Sequence, residues 1–373
     1  MIDFNSVSEF LQTSLLTVVK KIQKQERINN NEALVLYNKA PLSLLGTLAN
    51  DIRERIHGDK TFFNKNIHVE PTNICVFDCK FCAYSKKLSK KEESWEFSQN
   101  EMIQQILDHE DGEITEVHIV GGVHPKMGLD YFVSLISEVK KIRPNIHVKA
   151  FTAVELEYMC RKSKVSYKEG LQILKDAGQG SLPGGGAEIF DEETRKKICE
   201  DKCTSKEWLE MHETAHSIGM PSNATILYGH IETPEIIIDH LSRLRDLQDK
   251  TNGFNAFIPL KFRNGNNQMS KIKEGSIIND LRIFSFSRIY LDNFPHIKSY
   301  WPMIGKKTTK NLLAFGVDDI DGTIHDTTKI YSMAGAEDQN PTMNSEEIIE
   351  LITSVGKKAV ERDTVYNILK EYE

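Results

Sequence analysis

The chain has 373 residues, of which 39% are apolar and 27% are charged, and its net charge is −7 from 47 basic and 54 acidic residues. The apolar content is enough for a substantial core, and a barrel of alternating strands and helices reaches this length as a single unit. Because no basic block with interleaved aromatic residues is present, a nucleic-acid partner is not expected.

The N-terminal part, residues 1–60, is predicted to be a helical extension, because apolar residues recur three and four apart in "ALVLYNKAPLSLLGTLANDIRERIHG". Its apolar run "LLTVV" is too short, and its flanks are too polar, for a signal peptide or a membrane span. The six cysteines lack the pattern of a secreted disulfide framework. We therefore expect a cytoplasmic protein in a reducing setting, with no membrane partner.

Residues 61–320 alternate between short β-rich runs and amphipathic helical patterns such as "GLDYFVSLISEVKKIR", "SYKEGLQILKDAG", "SKEWLEMHETAHSIG" and "PEIIIDHLSRLRDLQDK". This alternation is typical of parallel β/α units and predicts an α/β fold with a closed (β/α)8 barrel. Eight runs are the predicted strands: "NIHVEP", "TEVHIVGG", "NIHVKAFTA", "GSLPGG", "SNATILYG", "FNAFIPL", "SRIYLD" and "LLAFGVDD".

Residues 321–373 are predicted to be a C-terminal helical extension. Its last segment, "NSEEIIELITSVGKKAVERDTVYNILKEYE", is interpreted as two helices packed outside the barrel.

Polar and glycine-rich clusters follow the predicted barrel strands, where (β/α)8 enzymes place their active sites. A cysteine-rich run follows the first strand, "GGVHP" the second, "TAVE" the third, "PGGGAE" the fourth and "YGHIE" the fifth. Glycines without side chains let a ligand approach the backbone closely, and this makes the triple glycine the most informative of these clusters. It is not a phosphate-binding loop, because it lacks the G-K-[ST] ending and the G-x-G-x-x-G pattern.

Cys75, Cys79 and Cys82 have the spacing C-x3-C-x2-C. Clustered thiols in a reducing compartment are usually a metal site. A structural zinc site needs four ligands, so it would require a distant fourth residue such as His68 or His124. Three ordinary buried cysteines are a second alternative. A third is a cubane iron–sulfur cluster, in which only three cysteines leave one iron open to another ligand.

The motif, with the aromatic Phe81 before its last cysteine, resembles the signature of the radical S-adenosylmethionine (SAM) enzymes. The resemblance implies that the three cysteines bind a 4Fe–4S cluster whose fourth iron chelates the amino and carboxylate groups of SAM. It further implies SAM contacts along the strand ends, although a glycine pair is also common in turns and a glutamate there can cap the following helix. The SAM-binding candidates are Tyr84, Gly121, Gly122, Glu155, Glu188 and Tyr228. Tyr228 lies in "TILYGHIE", a partial match to G-x-I-x-G-x-x-E because Thr225 replaces the first glycine.

Longer stretches, including "HIVGGVHP", "VKAFTAVE", "SLPGGGAEIF" and "LDNFPHIKSYWPMIG", resemble the aminofutalosine synthase family of the futalosine route to menaquinone. The resemblance covers residues of about 40 to 340. A sister family, the cyclic dehypoxanthinylfutalosine synthases, shares the triple glycine and "YGHIETPE", but "HIVGG" and "AFTAVE" favour the first family. The deazaflavin synthases of the F0 type are more distant relatives.

This resemblance implies that the enzyme adds a 5′-deoxyadenosyl radical to 3-[(1-carboxyvinyl)oxy]benzoate, loses a carboxylate and forms 6-amino-6-deoxyfutalosine. SAM is consumed as a co-substrate. The sister enzyme would instead use the radical to abstract hydrogen, and a non-catalytic iron–sulfur electron-transfer protein is the alternative from another class. Because the substrate carries two carboxylates, cationic or hydrogen-bonding side chains should line its pocket. The candidates are His118, His124, Lys149, Asn223, His230 and Lys298.

The remaining motifs are interpreted as structural. His212 and His216 are four residues apart on a predicted outer helix but lack the H-E-x-x-H order. Cys160, Cys199 and Cys203 are expected to pack or to lie at the surface. The charged run "KKLSKKEE" after the cysteines is expected to be solvated surface, with a docking site for an acidic electron donor such as flavodoxin as the alternative. A reductase, flavodoxin or ferredoxin is the expected redox partner.

Overall fold

The computed structural model describes residues 13–109, 112–325 and 328–372. Its helices are α1 (Thr13–Gln23), α2 (Asn30–Lys39), α3 (Leu42–His57), α4 (Gln99–Asp108), α5 (Leu129–Ile142), α6 (Ala153–Ser163), α7 (Tyr167–Ala177), α8 (Glu192–Cys199), α9 (Ser205–Ser217), α10 (Pro234–Thr251), α11 (Ile277–Tyr290), α12 (Trp301–Ile304), α13 (Lys306–Leu312), α14 (Ile330–Met333) and α15 (Ser345–Thr353), with a 3₁₀ turn at Lys91–Glu93. Its strands are β1 (Lys60–Phe63), β2 (Asn66–Val69), β3 (Glu116–Ile119), β4 (His147–Ala150), β5 (Gln179–Ser181), β6 (Ser222–Tyr228), β7 (Phe254–Lys261), β8 (His296–Ser299), β9 (Asp319–Ile320), β10 (Ile324–His325), β11 (Thr342–Met343), β12 (Lys358–Arg362) and β13 (Ile368–Glu371).

Strands β2 to β9 form a barrel of parallel strands, which confirms the predicted fold class. One half is β2-β3-β4-β5 and the other is β6-β7-β8-β9. A parallel bridge between Leu182 and Ser222 joins β5 to β6. At the opposite seam, the backbone N–H of Asn66 donates to the Thr323 hydroxyl at 3.2 Å, and the N–H of Thr323 donates to the Asn64 carbonyl at 3.3 Å.

The helices between the strands begin at strong local signals. Helices α4, α6, α7 and α9 each start with a Ser or Thr N-cap and a Glu three residues further on, and each pair forms a reciprocal capping box. These helices pack their apolar faces on the outside of the barrel. The N-terminal helices α2 and α3 pack on α10 and α11. Among the described residues, no helix is both long and apolar enough to cross a membrane.

Two of the eight predicted strands are wrong. "SRIYLD" is mostly the end of α11, and "LLAFGVDD" spans the end of α13 and a turn before β9. Every residue of α11 from Ile283 to Tyr290 is buried, so the helix lacks the polar stripe that distinguishes it from a buried strand. The seventh strand of the barrel, β8, was missed because its letters "HIKS" look polar, although all four residues are buried.

The second predicted C-terminal helix is also wrong. Only α15 forms, and residues 358–371 make a hairpin of β12 and β13. Strand β12 pairs in parallel with β1, and β13 pairs antiparallel with β12. A tertiary ion pair holds this hairpin against the barrel: the Arg362 guanidinium donates to both carboxylate oxygens of Asp319, at 2.7 and 2.8 Å. Pairing with β1 therefore overrides the local helical pattern.

We predict that Arg362→Met lowers the free energy of unfolding by about 3–5 kcal/mol, because it leaves the fully buried Asp319 carboxylate without its bidentate partner. Urea denaturation followed by circular dichroism measures the change. The matched control Lys310→Met removes an exposed cation from the outer helix α13 and should leave the midpoint close to that of the wild type. Equal midpoints for Arg362→Met and wild type would contradict the role given to this ion pair.

Candidate active site

A large cavity opens at the carboxyl ends of the barrel strands. Its empty volume is about 1370 Å³ when the space at its open mouth is included. Each of the five polar or glycine-rich clusters found in the sequence follows its strand at this end of the barrel: β2, β3, β4, β5 and β6. The five clusters therefore lie at the end of the barrel where the cavity opens.

The cysteine loop follows β2 and is held by backbone contacts rather than by a sheet. The Cys75 N–H donates to the Lys86 carbonyl at 2.9 Å, and the Val76 N–H donates to the Val123 carbonyl at 2.9 Å. Cys79 is buried, while Cys75 and Cys82 are partly exposed, and all three are free thiols. Cys82 lines the cavity. The loop thus presents Cys82 at one wall of the cavity, and the other two cysteines lie in the same loop.

The spacing of these thiols tests which metal group they fit. Thiolates on a single zinc ion, at about 2.3 Å each, would hold their sulfurs about 3.8 Å apart. Within the described part of the chain, the one group of three ligand atoms that all lie within 4.8 Å of one another is His57, His296 and Asp318, so the three cysteine sulfurs are spread more widely. Such a spread suits a multi-iron cluster, whose irons each bind one thiolate. The zinc alternative does not fit these thiols.

The His57, His296 and Asp318 group is a hydrogen-bonded network at the other end of the barrel. His296 begins β8, and its Nδ1 lies 2.5 Å from an Asp318 carboxylate oxygen. The Asp318 carboxylate also accepts from the buried Arg288 guanidinium. Since this carboxylate already has a cationic partner, the group is explained as part of the packing at the end of the barrel opposite the cavity.

Gly121 and Gly122 bring the end of β3 against the cysteine loop. The Gly122 N–H donates to the Thr72 carbonyl at 2.7 Å. A Cβ on Gly122 would lie 2.3 Å from the Ile74 carbonyl oxygen, and one on Gly121 would lie 2.9 Å from the Thr72 carbonyl oxygen. Side chains are excluded at both positions because the two backbones touch. Gly121 also lines the cavity.

The triple glycine after β5 has the same character. A Cβ on Gly184 would lie 2.6 Å from the Asn223 carbonyl oxygen, and Gly186 has a φ of +83°. All three glycines line the cavity. The backbone of this segment is therefore exposed to whatever the cavity binds, as the sequence suggested.

Tyr84 and Glu188 also line the cavity. The Tyr84 hydroxyl donates to the Thr72 carbonyl at 3.0 Å, and its ring meets Trp95 edge-on. Glu188, with a φ of +49°, forms an ion pair with Lys202. Lys202 in turn places its ammonium 5.3 Å from the centre of the Phe81 ring, beside the cysteine loop. Lys202 was not predicted, because no pattern in "CEDKCTS" points to a site.

Glu155 and Tyr228 do not line the cavity. One Glu155 oxygen accepts from the N–H and hydroxyl of Thr152, and the other accepts from the Gly121 N–H at 3.3 Å. Burial raises the pKa of Glu155 to about 7. The Tyr228 hydroxyl donates to Asp280 at 2.9 Å. Glu155 therefore caps α6 and ties it to the glycine pair, and Tyr228 points toward α11.

Three of the six substrate candidates line the cavity, and the other three do not. The His124 ring accepts from the backbone N–H groups of Lys126 and Met127 in a turn. The His230 ring donates to the Leu227 carbonyl at 3.0 Å. Lys298 lies beneath the main cavity, where it contacts Asp321 at 3.4 Å. His118, Lys149 and Asn223 are the candidates that the fold brings into the cavity.

His68, His118 and Lys149 form a row across three adjacent strands at the cavity floor. His68 pairs in register with His118, and His118 with Lys149. The Lys149 ammonium lies 2.5 Å from Glu116. Burial opposes ionisation of Glu116, but the nearby Lys149 lowers the pKa of this carboxyl far below its usual range, so the Glu116 carboxylate is ionised. We call His68, His118 and Lys149 the floor row.

His118 carries an unused hydrogen-bonding atom. The residue is partly exposed, but its Nε2 atom is buried, and among the described residues none pairs with this atom. Burial, followed by the nearby Lys149, lowers the pKa of His118 well below its usual value, so the imidazole is neutral. A neutral imidazole at this position could either donate to or accept from a bound molecule.

Tyr300, Asp321 and Tyr331 complete the cavity wall and were missed in the sequence. Tyr300 directly follows β8, and Asp321 directly follows β9. Both strands were misplaced in the sequence analysis, so their ends could not be searched for site residues.

The expected structural roles are seen for His212 and His216, since both rings hydrogen-bond the Ser222 hydroxyl at 2.8 Å outside the cavity.

Comparison with known proteins agrees with this geometry. The family model of the Radical SAM superfamily matches residues 69–244, and that of the CofH/MqnC C-terminal region matches residues 251–373. Radical SAM enzymes use a 4Fe–4S cluster and SAM, the groups that the cysteine loop and cavity fit. Among solved structures, methylornithine synthase superposes with a TM-score of 0.72 at 15% identity, over 91% of this chain and 96% of that one. The similarity to methylornithine synthase shows a shared fold and carries no conclusion about activity.

Curated relatives are similar over nearly the whole chain. The aminodeoxyfutalosine synthase of Thermus thermophilus is 40% identical, with 96% of this chain and 97% of that protein covered. The one of Streptomyces coelicolor is 36% identical over 95% and 94%. The cyclic dehypoxanthine futalosine synthase of Streptomyces coelicolor is 34% identical over 92% and 86%. This chain belongs to the aminodeoxyfutalosine synthase family of radical SAM enzymes.

Proposed function

We propose that this chain adds the 5′-deoxyadenosyl group of SAM to the vinyl double bond of 3-[(1-carboxyvinyl)oxy]benzoate and, with loss of a carboxylate, forms 6-amino-6-deoxyfutalosine for menaquinone synthesis. The observation that carries the proposal is one cavity with Cys82 of the cysteine loop in its wall and the floor row of His68, His118 and Lys149 in its lining. When bound, the cluster supplies the single electron that cleaves SAM and releases the radical. The protein holds the two reactants in contact.

The wall near Cys82 suits the amino-acid end of SAM. The backbone of the triple glycine and Gly121 is open to a ligand there, and the Glu188–Lys202 pair offers one charge of each sign. A carboxylate with an ammonium, as in methionine, matches such a pair when each group meets its opposite. We propose that Lys202 binds the SAM carboxylate, that Glu188 binds its ammonium, and that Tyr84 supports the adenosine side.

The floor suits a dianionic substrate. The charged residues that line the cavity are four basic and two acidic ones: Lys149, Lys202, Lys261 and Arg263 against Glu188 and Asp321. We propose that Lys149 and Asn223 bind one substrate carboxylate and that the free Nε2 of His118 donates to the same group. Above this floor, Leu227, Ile258, Leu260 and Ile330 provide apolar walls that exclude water from a reactive radical.

The proposed reaction also implies a redox partner and a cellular compartment. The enzyme needs a one-electron donor, and we propose a reductase with a flavodoxin- or ferredoxin-type carrier. We also propose that it works in the reducing cytoplasm, because all six of its thiols are free and a thiolate-bound cluster needs them so.

We predict that the cluster-reconstituted protein, with dithionite, SAM and 3-[(1-carboxyvinyl)oxy]benzoate under anaerobic conditions, forms a decarboxylated adenosyl adduct together with free methionine. Mass spectrometry of the products measures both. If 5′-deoxyadenosine were the only nucleoside product, the addition would be refuted, and the substrate of the cyclase should be tried next.

We predict that Cys79→Ala loses the cluster and all adduct formation, because a cubane with two protein thiolates is poorly held. Iron analysis and the adduct assay measure the effect. The matched control is Cys160→Ala, which removes a thiol buried against α7 and outside the cavity and should keep both iron and activity. An active, iron-loaded Cys79→Ala would exclude Cys79 as a ligand.

We predict that Lys149→Met raises the KM for the benzoate substrate about tenfold to a hundredfold, the loss expected for one hydrogen bond to a charged group. Iron content and SAM affinity should not change. The control Lys65→Met removes another buried lysine that is paired with carboxylates, Glu113 and Glu361, but lies outside the cavity. This control should cost stability and leave the KM unchanged. If the two variants shifted the KM equally, Lys149 would have no special role in substrate binding.

A further inference from the structure

Two of the cluster thiols are reached from outside the barrel as well as from inside. Cys79 and Cys82 line a shallow depression on the outer surface, and Cys82 also lines the internal cavity. A cluster bound to these thiols therefore forms part of the wall that separates the cavity from the outer surface. We call this depression, with Lys86, Lys87 and Lys90 at its rim, the lysine face.

The lysine face is the open route for an electron. Under the proposed function, on which this step rests, SAM and the substrate fill the internal cavity. A protein donor is too large to enter the cavity mouth beside them. The cluster edge at Cys79 and Cys82 is then approached through the outer depression.

The charge of the lysine face is opposite to that of the chain as a whole. Lys86, Lys87 and Lys90 line it against a single acidic residue, Asp78, whereas the chain carries a net charge of −7. Asp78 accepts a hydrogen bond from Gln268 at 3.3 Å, and Lys86 contacts the exposed Glu93 at 3.0 Å. Lys87 and Lys90 are exposed. The face therefore presents a local excess of positive charge around the thiols.

The part of the lysine face that Asn267 and Gln268 line is held in place before any partner arrives. The Gln268 N–H donates to the Lys80 carbonyl at 2.9 Å, and the Lys80 N–H donates to the Ile198 carbonyl at 2.8 Å. The Asn267 amide donates to the carbonyl of Arg263, a cavity residue, at 2.7 Å. A preformed surface of this kind binds a partner with little rearrangement.

We propose that the lysine face docks a small one-electron carrier protein whose surface around its own redox centre is acidic. In the bound pair, one electron leaves the reduced carrier and enters the oxidised cluster, so the carrier is oxidised by one electron and no atom is transferred. Opposite charges on the two surfaces steer the encounter and set the register that brings the two centres together.

The test compares Lys87→Ser/Lys90→Ser with wild type in the cluster-loaded, full-length protein. Stopped-flow absorbance measures the rate of cluster reduction by flavodoxin hydroquinone, an acidic carrier, and separately by dithionite, a small reductant that needs no docking surface. The control Lys20→Ser/Lys24→Ser removes the same charge from exposed positions on and just after α1, remote from the cysteines. Iron content confirms that each variant carries the cluster.

We expect the second-order rate constant with flavodoxin to fall about tenfold in Lys87→Ser/Lys90→Ser at low salt, and the difference from wild type to vanish at high salt. The dithionite rate and the control variant should match wild type. A wild-type flavodoxin rate in the double variant, or an equal loss in the control, would overturn the proposal. Because this readout needs no product, a failure of the adduct assay would refute the proposed function while the reduction rates still decide the docking face.

Discussion

The active site depends on one close backbone contact, that between the glycine pair after β3 and the start of the cysteine loop. The loop has no sheet of its own, and its position follows from the bond between the Gly122 N–H and the Thr72 carbonyl and from that between Val76 and Val123. Any side chain on Gly122 would collide with the Ile74 carbonyl. Glu155 ties α6 to the same pair. The thiols are thereby fixed relative to the barrel, and the cavity wall, the SAM pocket and the outer depression all follow from that placement.

Charge is arranged in layers along the barrel axis. The Glu188–Lys202 pair lies beside the thiols, the floor row with Glu116 closes the cavity, and Asp319 with Arg362 lies beneath it. The Thr364 hydroxyl donates to Glu116 at 2.8 Å, so the C-terminal hairpin supports the carboxylate that orients Lys149. Each of these three pairs joins opposite charges, which is the condition for keeping a buried charge ionised out of water. The hairpin therefore contributes to the active site without touching the cavity.

The same placement separates the routes of electrons and of small molecules. On the proposed function, SAM and the substrate meet in the cavity, whose lining includes glycine backbone and apolar side chains. Cys82 at its wall also faces the depression on the outer surface, together with Cys79. On our proposal, an electron then enters from the outer surface while the reactants occupy the cavity.

Much of this could be predicted from local sequence. The C-x3-C-x2-C spacing and the glycine clusters depend on residues close together in the chain, as do the capping boxes such as Thr152 with Glu155. Four helices between the strands, α5, α7, α9 and α10, were predicted because their amphipathic periodicity survives where one face meets solvent. Six strands were predicted from short β-rich runs, among them the fully buried β2 and β6. The helix α11 failed because its buried second half has no polar stripe, and β8 failed because its letters "HIKS" look polar.

Only the tertiary structure decided the rest. Pairing with β1 turned residues 358–371 into a hairpin, and the ends of β8 and β9 brought Tyr300 and Asp321 to the cavity. Lys202 lies beside the cysteine loop and pairs with Glu188, although its own segment carries no motif. His124 and His230 form local hydrogen bonds and do not line the cavity. The sequence alone determined the chemistry at the cysteines, because these three cluster ligands are neighbours in the chain. The charges that face the substrate were decided by the fold, because they come from strands far apart in sequence.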